Sequence, residues 1–126
     1  MRHRCWTWAA WAVAAALAAG CASLPPRRPQ RITQGDPAFG RQALVDYGCV
    51  GCHAIPGVPG ADSYVGPPLD HFGQRSYIAG ALVNTQDNLV RWIMSPQEVE
   101  PGTVMPDLGV TQNDAVNISA YLLSLD

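Results

Sequence analysis

No lysine occurs among the 126 residues, and all eight basic side chains are arginines. Charged residues make up only 14% of the chain, where about 25% is usual in soluble domains. Five of the arginines (Arg2, Arg4, Arg27, Arg28 and Arg31) fall within the first 31 residues. From residue 36 onward only Arg41, Arg75 and Arg91 face ten carboxylates, a formal charge of −7. A basic nucleic-acid-binding face is thereby excluded. A long apolar run is missing too. The stretch Trp6–Ala19 is 14 residues and is interrupted by Thr7, whereas a bilayer span needs about 20.

What is present at the start fits export. Arg2 and Arg4 precede the short apolar run, and Ala18-Ala19-Gly20 supplies small residues before a cut. This pattern reads as a cleaved signal peptide over residues 1–20. With Cys21 next, it resembles the lipobox of bacterial lipoproteins, although Ala18 stands where leucine is usual. The resemblance implies that Cys21 is lipidated and becomes the mature N-terminus; otherwise Cys21 is an incidental residue of an ordinary signal. Residues 21–35 are rich in Pro and Arg and have no apolar period. They read as a tether, reaching roughly 40 Å at about 3.1 Å per residue if polyproline-like. Arg27, Arg28 and Arg31 can rest on anionic headgroups. The expected location is the periplasmic side of a bacterial membrane, or the soluble periplasm if Cys21 carries no lipid. The folded domain is then 36–126.

The cysteines carry the chemistry. Setting aside Cys5 and Cys21 leaves Cys49-Val50-Gly51-Cys52-His53, the C-x-x-C-H pattern of c-type haem attachment. Cysteines three apart lie about one helical turn apart on one side, so each sulfur can form a thioether to one haem vinyl group. His53 follows at once and places an imidazole under the iron. Gly51 keeps side-chain bulk away from the porphyrin. A thioredoxin-like C-x-x-C would need a βαβ context, which is absent. A zinc site needs four ligands, and Cys49, Cys52, His53 and His71 are on offer without a second paired motif. A Cys49–Cys52 disulfide would close a very short loop.

Simple electron transfer needs a sixth iron ligand, and Met94, Met105 and His71 are the candidates. Met105 lies in Pro101-Gly102-Thr103-Val104-Met105-Pro106, a loop stiffened by two prolines. Met94 ends an expected helix before Ser95-Pro96 and reads as packing. His71, beside Asp70, reads as partly exposed. Met105 is therefore the expected ligand, giving the His/Met pair of electron-transferring haem proteins.

The pattern of elements is all-α, with three to five short helices around one haem. Asp36 caps a helix with Pro37 at its first position, running to about Tyr47. Residues 49–54 form the haem-bearing turn, and 55–74 a Gly/Pro-rich loop without strand pattern. A short helix is expected over 76–82. Thr85 caps a helix ending near Met94. Thr111 and Asp114 resemble a capping box with Asp in place of Glu. They open a last helix whose apolar face is Val116, Ile118, Tyr121, Leu122 and Leu125. Asn117-Ile118-Ser119 matches a glycosylation pattern by chance. Haem supplies the core that so small a domain would otherwise lack.

With these residues in view, 36–126 resembles a class I, mitochondrial-type cytochrome c domain; Leu89–Met105 follows that pattern without a gap. The resemblance implies that Trp92 packs near the ligand methionine and that the Thr103 hydroxyl bonds a haem propionate. It implies that the Pro67 carbonyl accepts the second imidazole N–H of His53, that Leu69 packs on the haem and that Arg75 lies near the propionates. Gly40 and Tyr121 match the small and aromatic partners where first and last helices cross.

The departures matter as well. The stretch from His53 to Pro67 is about two residues longer than in mitochondrial-type chains, a comparison of spacing within the motif-to-loop unit. Gln97, Glu98 and Val104 stand where that family carries lysines. Docking is thus expected by short-range contact through a neutral rim of Ile55, Pro56, Val58 and Val104, with little long-range steering. The expected function is one-electron transfer with a donor and an acceptor, such as a terminal oxidase or a quinol-oxidising complex of a respiratory chain. No enzymatic activity and no small-molecule substrate are expected. A haem enzyme or gas sensor with an open sixth position is the alternative.

Overall fold

A computed structural model describes Ile32 and residues 34–126. The signal peptide, Cys21 and most of the tether lie outside the described residues. Helix α1 (Pro37–Asp46) begins where expected: the Asp36 carboxylate accepts from the Ala38 N–H at 2.8 Å, and Pro37 fills the first position. Helix α2 (Gln86–Met94) is capped by the Thr85 hydroxyl, which accepts from the Asn88 N–H at 3.3 Å. It stops at Ser95 because Pro96 disfavours helical geometry in the residue before it. Pro96 then opens the one-turn helix α3 (Pro96–Val99). Helix α4 (Gln112–Leu123) is the last helix among the described residues.

Two small antiparallel pairs join these helices. Strand β1 (His53–Ala54) pairs with β2 (Asp62–Tyr64), and β3 (Tyr77–Ile78) with β4 (Leu82–Val83). The short helix expected over 76–82 is therefore a hairpin. Its turn residues Ala79 (φ 49°) and Gly80 (φ 74°) both lie in the left-handed region, which a helix cannot use and a primed hairpin turn requires. The 55–74 segment, expected as plain loop, holds β2 and a 3-10 turn at Phe72–Gln74.

The core lies where α1 crosses α4, with α2 packed alongside. Ala43 and Leu44 of α1, Leu89, Val90 and Ile93 of α2, and Ala115, Ile118 and Leu122 of α4 are all buried. Gly40 and Asn117 mark the crossing, where a side chain on Gly40 would meet the Asn117 carbonyl. The expected rim needs correction. Ile55 and Val58 are only 3% and 6% exposed and belong to the core. They are buried because the loop closes on itself: the Ile55 N–H bonds the Ala61 carbonyl at 2.9 Å and the Val58 N–H bonds the Ile55 carbonyl at 3.2 Å. Pro56 and Val104 remain exposed.

The start of α4 also differs from a standard capping box. The Thr111 hydroxyl accepts from the Asp114 N–H at 3.3 Å, but the Asp114 carboxylate accepts from the Thr111 hydroxyl (2.7 Å) and the Tyr47 hydroxyl (2.8 Å). Aspartate is one methylene shorter than the usual glutamate and does not return to the cap's backbone N–H. The contact instead joins the end of α1 to the start of α4. The bond from Thr111, then that from Tyr47, hold the Asp114 carboxyl below the usual aspartate range. A depressed folded-state pKa stabilises the fold above the unfolded value of about 3.9 and loses that effect as pH falls further. Asp114→Asn should therefore lower the urea midpoint at pH 7, with the gap to wild type closing below about pH 4. A gap unchanged across that range would contradict this assignment.

Candidate cofactor site

The Cys49 turn follows directly from the end of α1. Gly48, at φ 76°, reverses the chain out of the helix, and Cys49–Gly51 closes into a 3-10 turn with the Cys52 N–H on the Cys49 carbonyl at 3.2 Å. Both cysteines are half-buried free thiols. Burial chiefly, with the neighbouring Cys52 adding, pushes the Cys49 thiol above its ordinary range. Two adjacent thiols kept out of a disulfide are the donor set that covalent attachment through C-x-x-C requires.

His53 stands on β1, opposite Tyr64 of β2. The chain after β2 folds back over it: the Gly66 N–H bonds the Cys52 carbonyl at 2.7 Å, and the Leu69 N–H bonds the Ala54 carbonyl at 2.8 Å. This return brings the Pro67 carbonyl within 2.7 Å of His53 Nδ1. A carbonyl can only accept, so Nδ1 donates its proton to it, and in the neutral imidazole the lone pair for a metal then lies on Nε2. Gly66 is packed flat on the ring. A Cβ there would lie 2.5 Å from Cε1 and 2.8 Å from Nδ1. The sequence offers only a Gly-Pro pair as a sign of this contact.

The three sixth-ligand candidates are in different surroundings. His71 is exposed at a left-handed φ of 48°. Met94 packs against the core and lines a cavity of about 360 Å³ between α2 and α4, alongside Val90 and Val116. None of the C-x-x-C-H residues lines that cavity. Met105 is half-buried in a segment, 103–111, without helix or strand. Its N–H donates to the Thr103 hydroxyl at 3.2 Å, and its carbonyl accepts from Gln97 Nε2 at 2.6 Å. Gln97 was not among the site residues the sequence pointed to.

Leu69 is buried in the core cluster, and Trp92 and Cys49 pack partly buried against it. Arg75 clips its own loop. One Nη2 donates to the carbonyls of Pro68 (2.6 Å) and Asp70 (2.9 Å), and the guanidinium lies 5.0 Å over the Phe72 ring. Its ion pair with the exposed Asp70 carboxylate, at 3.5 Å, adds little by comparison. Fully buried Asn84 supports the same loop by donating to the Phe72 and Arg75 carbonyls at 2.8 and 3.1 Å. The Tyr121 hydroxyl donates to the Pro56 carbonyl at 2.6 Å, tying α4 to the segment after His53.

A largely helical domain folded around a C-x-x-C-H turn defines a c-type haem-binding domain. The family model for cytochrome c matches residues 38–126, and the chain belongs to the cytochrome c family. Membership implies one haem c, for which Cys49 and Cys52 fit, and haem-based electron transfer. The chain is similar to cytochrome c oxidase subunit 2 of Alkalihalophilus pseudofirmus, 41% identical over 87 residues, which are 68% of this chain and 25% of that protein. It is also similar to the same subunit of Bacillus sp. strain PS3, 33% identical over 88 residues, 67% of this chain and 25% of that protein. The chain spans about a quarter of the length of these relatives.

Proposed function

We propose that this chain is a one-electron carrier, not itself an enzyme, holding haem c through Cys49 and Cys52 with His53 and Met105 as axial ligands. The observation that carries this reading is the His53 Nδ1–Pro67 carbonyl bond of 2.7 Å, which fixes the ring orientation and leaves Nε2 as the nitrogen available to a metal. Haem, when bound, would supply an Fe(III)/Fe(II) couple, and His53 and Met105 are the residues that would hold its iron. Leu69 and Trp92 keep water from the site. The Thr103 oxygen accepts from Met105 while its proton is free to bond a propionate. Arg75 holds the Pro68–Asp70 segment and contributes positive charge near the propionates.

The similarity to oxidase subunits supports a terminal-oxidase-type membrane complex as electron acceptor. Val104, next to Met105, and Tyr64 and Val65, next to Gly66, are exposed apolar side chains through which docking proceeds. Lipidation at Cys21 keeps the domain on the periplasmic side of a membrane, where tethering raises its effective concentration at the partner.

The test uses the full-length chain matured in a bacterial host. It should be recovered in the membrane fraction, and in its oxidised form it should show the far-red methionine-to-iron charge-transfer band. Reduced protein should take up carbon monoxide poorly. Ready carbon monoxide binding with no far-red band would favour an open sixth position and sink the carrier reading. Recovery in the soluble periplasm would sink the anchor alone.

A further inference from the structure

We propose that Gln97 is a positioning residue for the axial ligand, clipping the Met105 loop closed through the bond from its side-chain amide to the Met105 carbonyl. The proposal rests on Met105 being the sixth ligand. A thioether is a neutral, weak donor, so its retention depends on how firmly its loop is held. Residues 103–111 form no helix or strand, and side chains hold the Met105 peptide at both ends. The Thr103 hydroxyl, two residues away, accepts its N–H at 3.2 Å. That contact is local and moves with the loop. The 2.6 Å bond from Gln97 Nε2 comes from outside the loop.

The base of this clip is fixed. Gln97 stands on α3, whose first residue, Pro96, is fully buried. The turn is closed by the Glu100 N–H on the Pro96 carbonyl at 2.9 Å. Immediately beyond, the Thr103 N–H bonds the Glu100 carbonyl at 2.9 Å, so α3 and the ligand loop meet in a continuous set of bonds. Gln97 itself is exposed, so its replacement leaves the core intact. Its amide nitrogen is the group that faces Met105, because a carbonyl acceptor demands a donor.

The experiment measures imidazole binding to the oxidised, haem-loaded chain, followed by loss of the far-red band, in wild type, Gln97→Leu and Gln97→Glu. Leu keeps similar bulk without charge; Glu keeps the shape and, ionised at neutral pH, lacks the donor. Losing one net hydrogen bond from the closed loop should raise the apparent imidazole affinity roughly fivefold in both variants. A role in packing alone would leave this affinity unchanged and move only the denaturation midpoint. Wild-type imidazole affinity in either variant overturns the clip while leaving Met105 as ligand. Absence of the far-red band in wild type overturns the ligand assignment and the clip together.

Discussion

Gly66→Ala should cost the protein most of its correctly ligated haem. The added methyl would lie 2.5 Å from His53 Cε1, 2.8 Å from Nδ1 and 3.1 Å from Nε2, so it meets the face of the imidazole, not the end of a flexible chain. Neither side can retreat cheaply. The ring is held by the 2.7 Å bond from Nδ1 to Pro67, the very next residue. The Gly66 backbone is held by its own 2.7 Å bond to the Cys52 carbonyl. Relief requires breaking one of these bonds, either tilting the imidazole or lifting the 64–69 return off the cysteine turn. Overpacking by one methyl and loss of one bond together come to about 2–4 kcal/mol. Covalent haem content, the far-red band and the denaturation midpoint of the variant would report the change. A variant matching wild type in all three would show that the ring and Gly66 are not in contact.

That contact also differs in kind from the features that neighbouring residues specify. The helix starts at Asp36, Thr85 and Thr111 were legible because a cap is a bargain between neighbours in the chain, two or three residues apart. The Cys49–His53 unit was legible for the same reason. The Gly66–His53 and Gln97–Met105 contacts are set by how the chain returns on itself, and neither a loop glycine nor an exposed glutamine on a one-turn helix names its partner. Ile55 and Val58 failed differently. Apolar residues among prolines and glycines read as a surface rim, yet the 55–61 loop bonds to itself and turns both inward. Tyr64, Val65 and Val104 are among the large apolar side chains that are exposed instead. Tyr64 and Val65 immediately precede Gly66 and Val104 adjoins Met105, so the candidate docking surface follows the segment that covers His53 and the one that carries Met105. The hairpin at 77–83 is not legible in the sequence because seven residues are too few for periodicity to separate helix from strand. Its left-handed Ala79 is a residue type that gives no warning of such a conformation.

Gly40→Ala should lower stability sharply while leaving the haem ligands in place, which separates the fold from the site. Two effects of opposite sign compete. Alanine in a helix interior is favoured over glycine by about 1 kcal/mol, so α1 alone would gain. The new Cβ, however, would fall on the Asn117 carbonyl, 2.5 Å from its carbon and 2.9 Å from the Ile118 nitrogen. Those atoms are backbone of α4 and cannot rotate away as a side chain would. The helices must separate, which loosens Ala43 and Leu44 against Ile118 and Leu122 and strains the 2.9 Å bond from the Asp36 N–H to the Asn117 side chain. Overpacking against fixed backbone, at about 3 kcal/mol, outweighs the propensity gain and leaves a net loss of about 2 kcal/mol. In a domain of this size that lowers the melting temperature by roughly 10 °C. The far-red band of the folded variant should stay, because the crossing touches neither the Cys49 turn nor the Met105 loop. A midpoint equal to or above wild type would mean that helix propensity wins and that α1 and α4 do not meet backbone to backbone at Gly40.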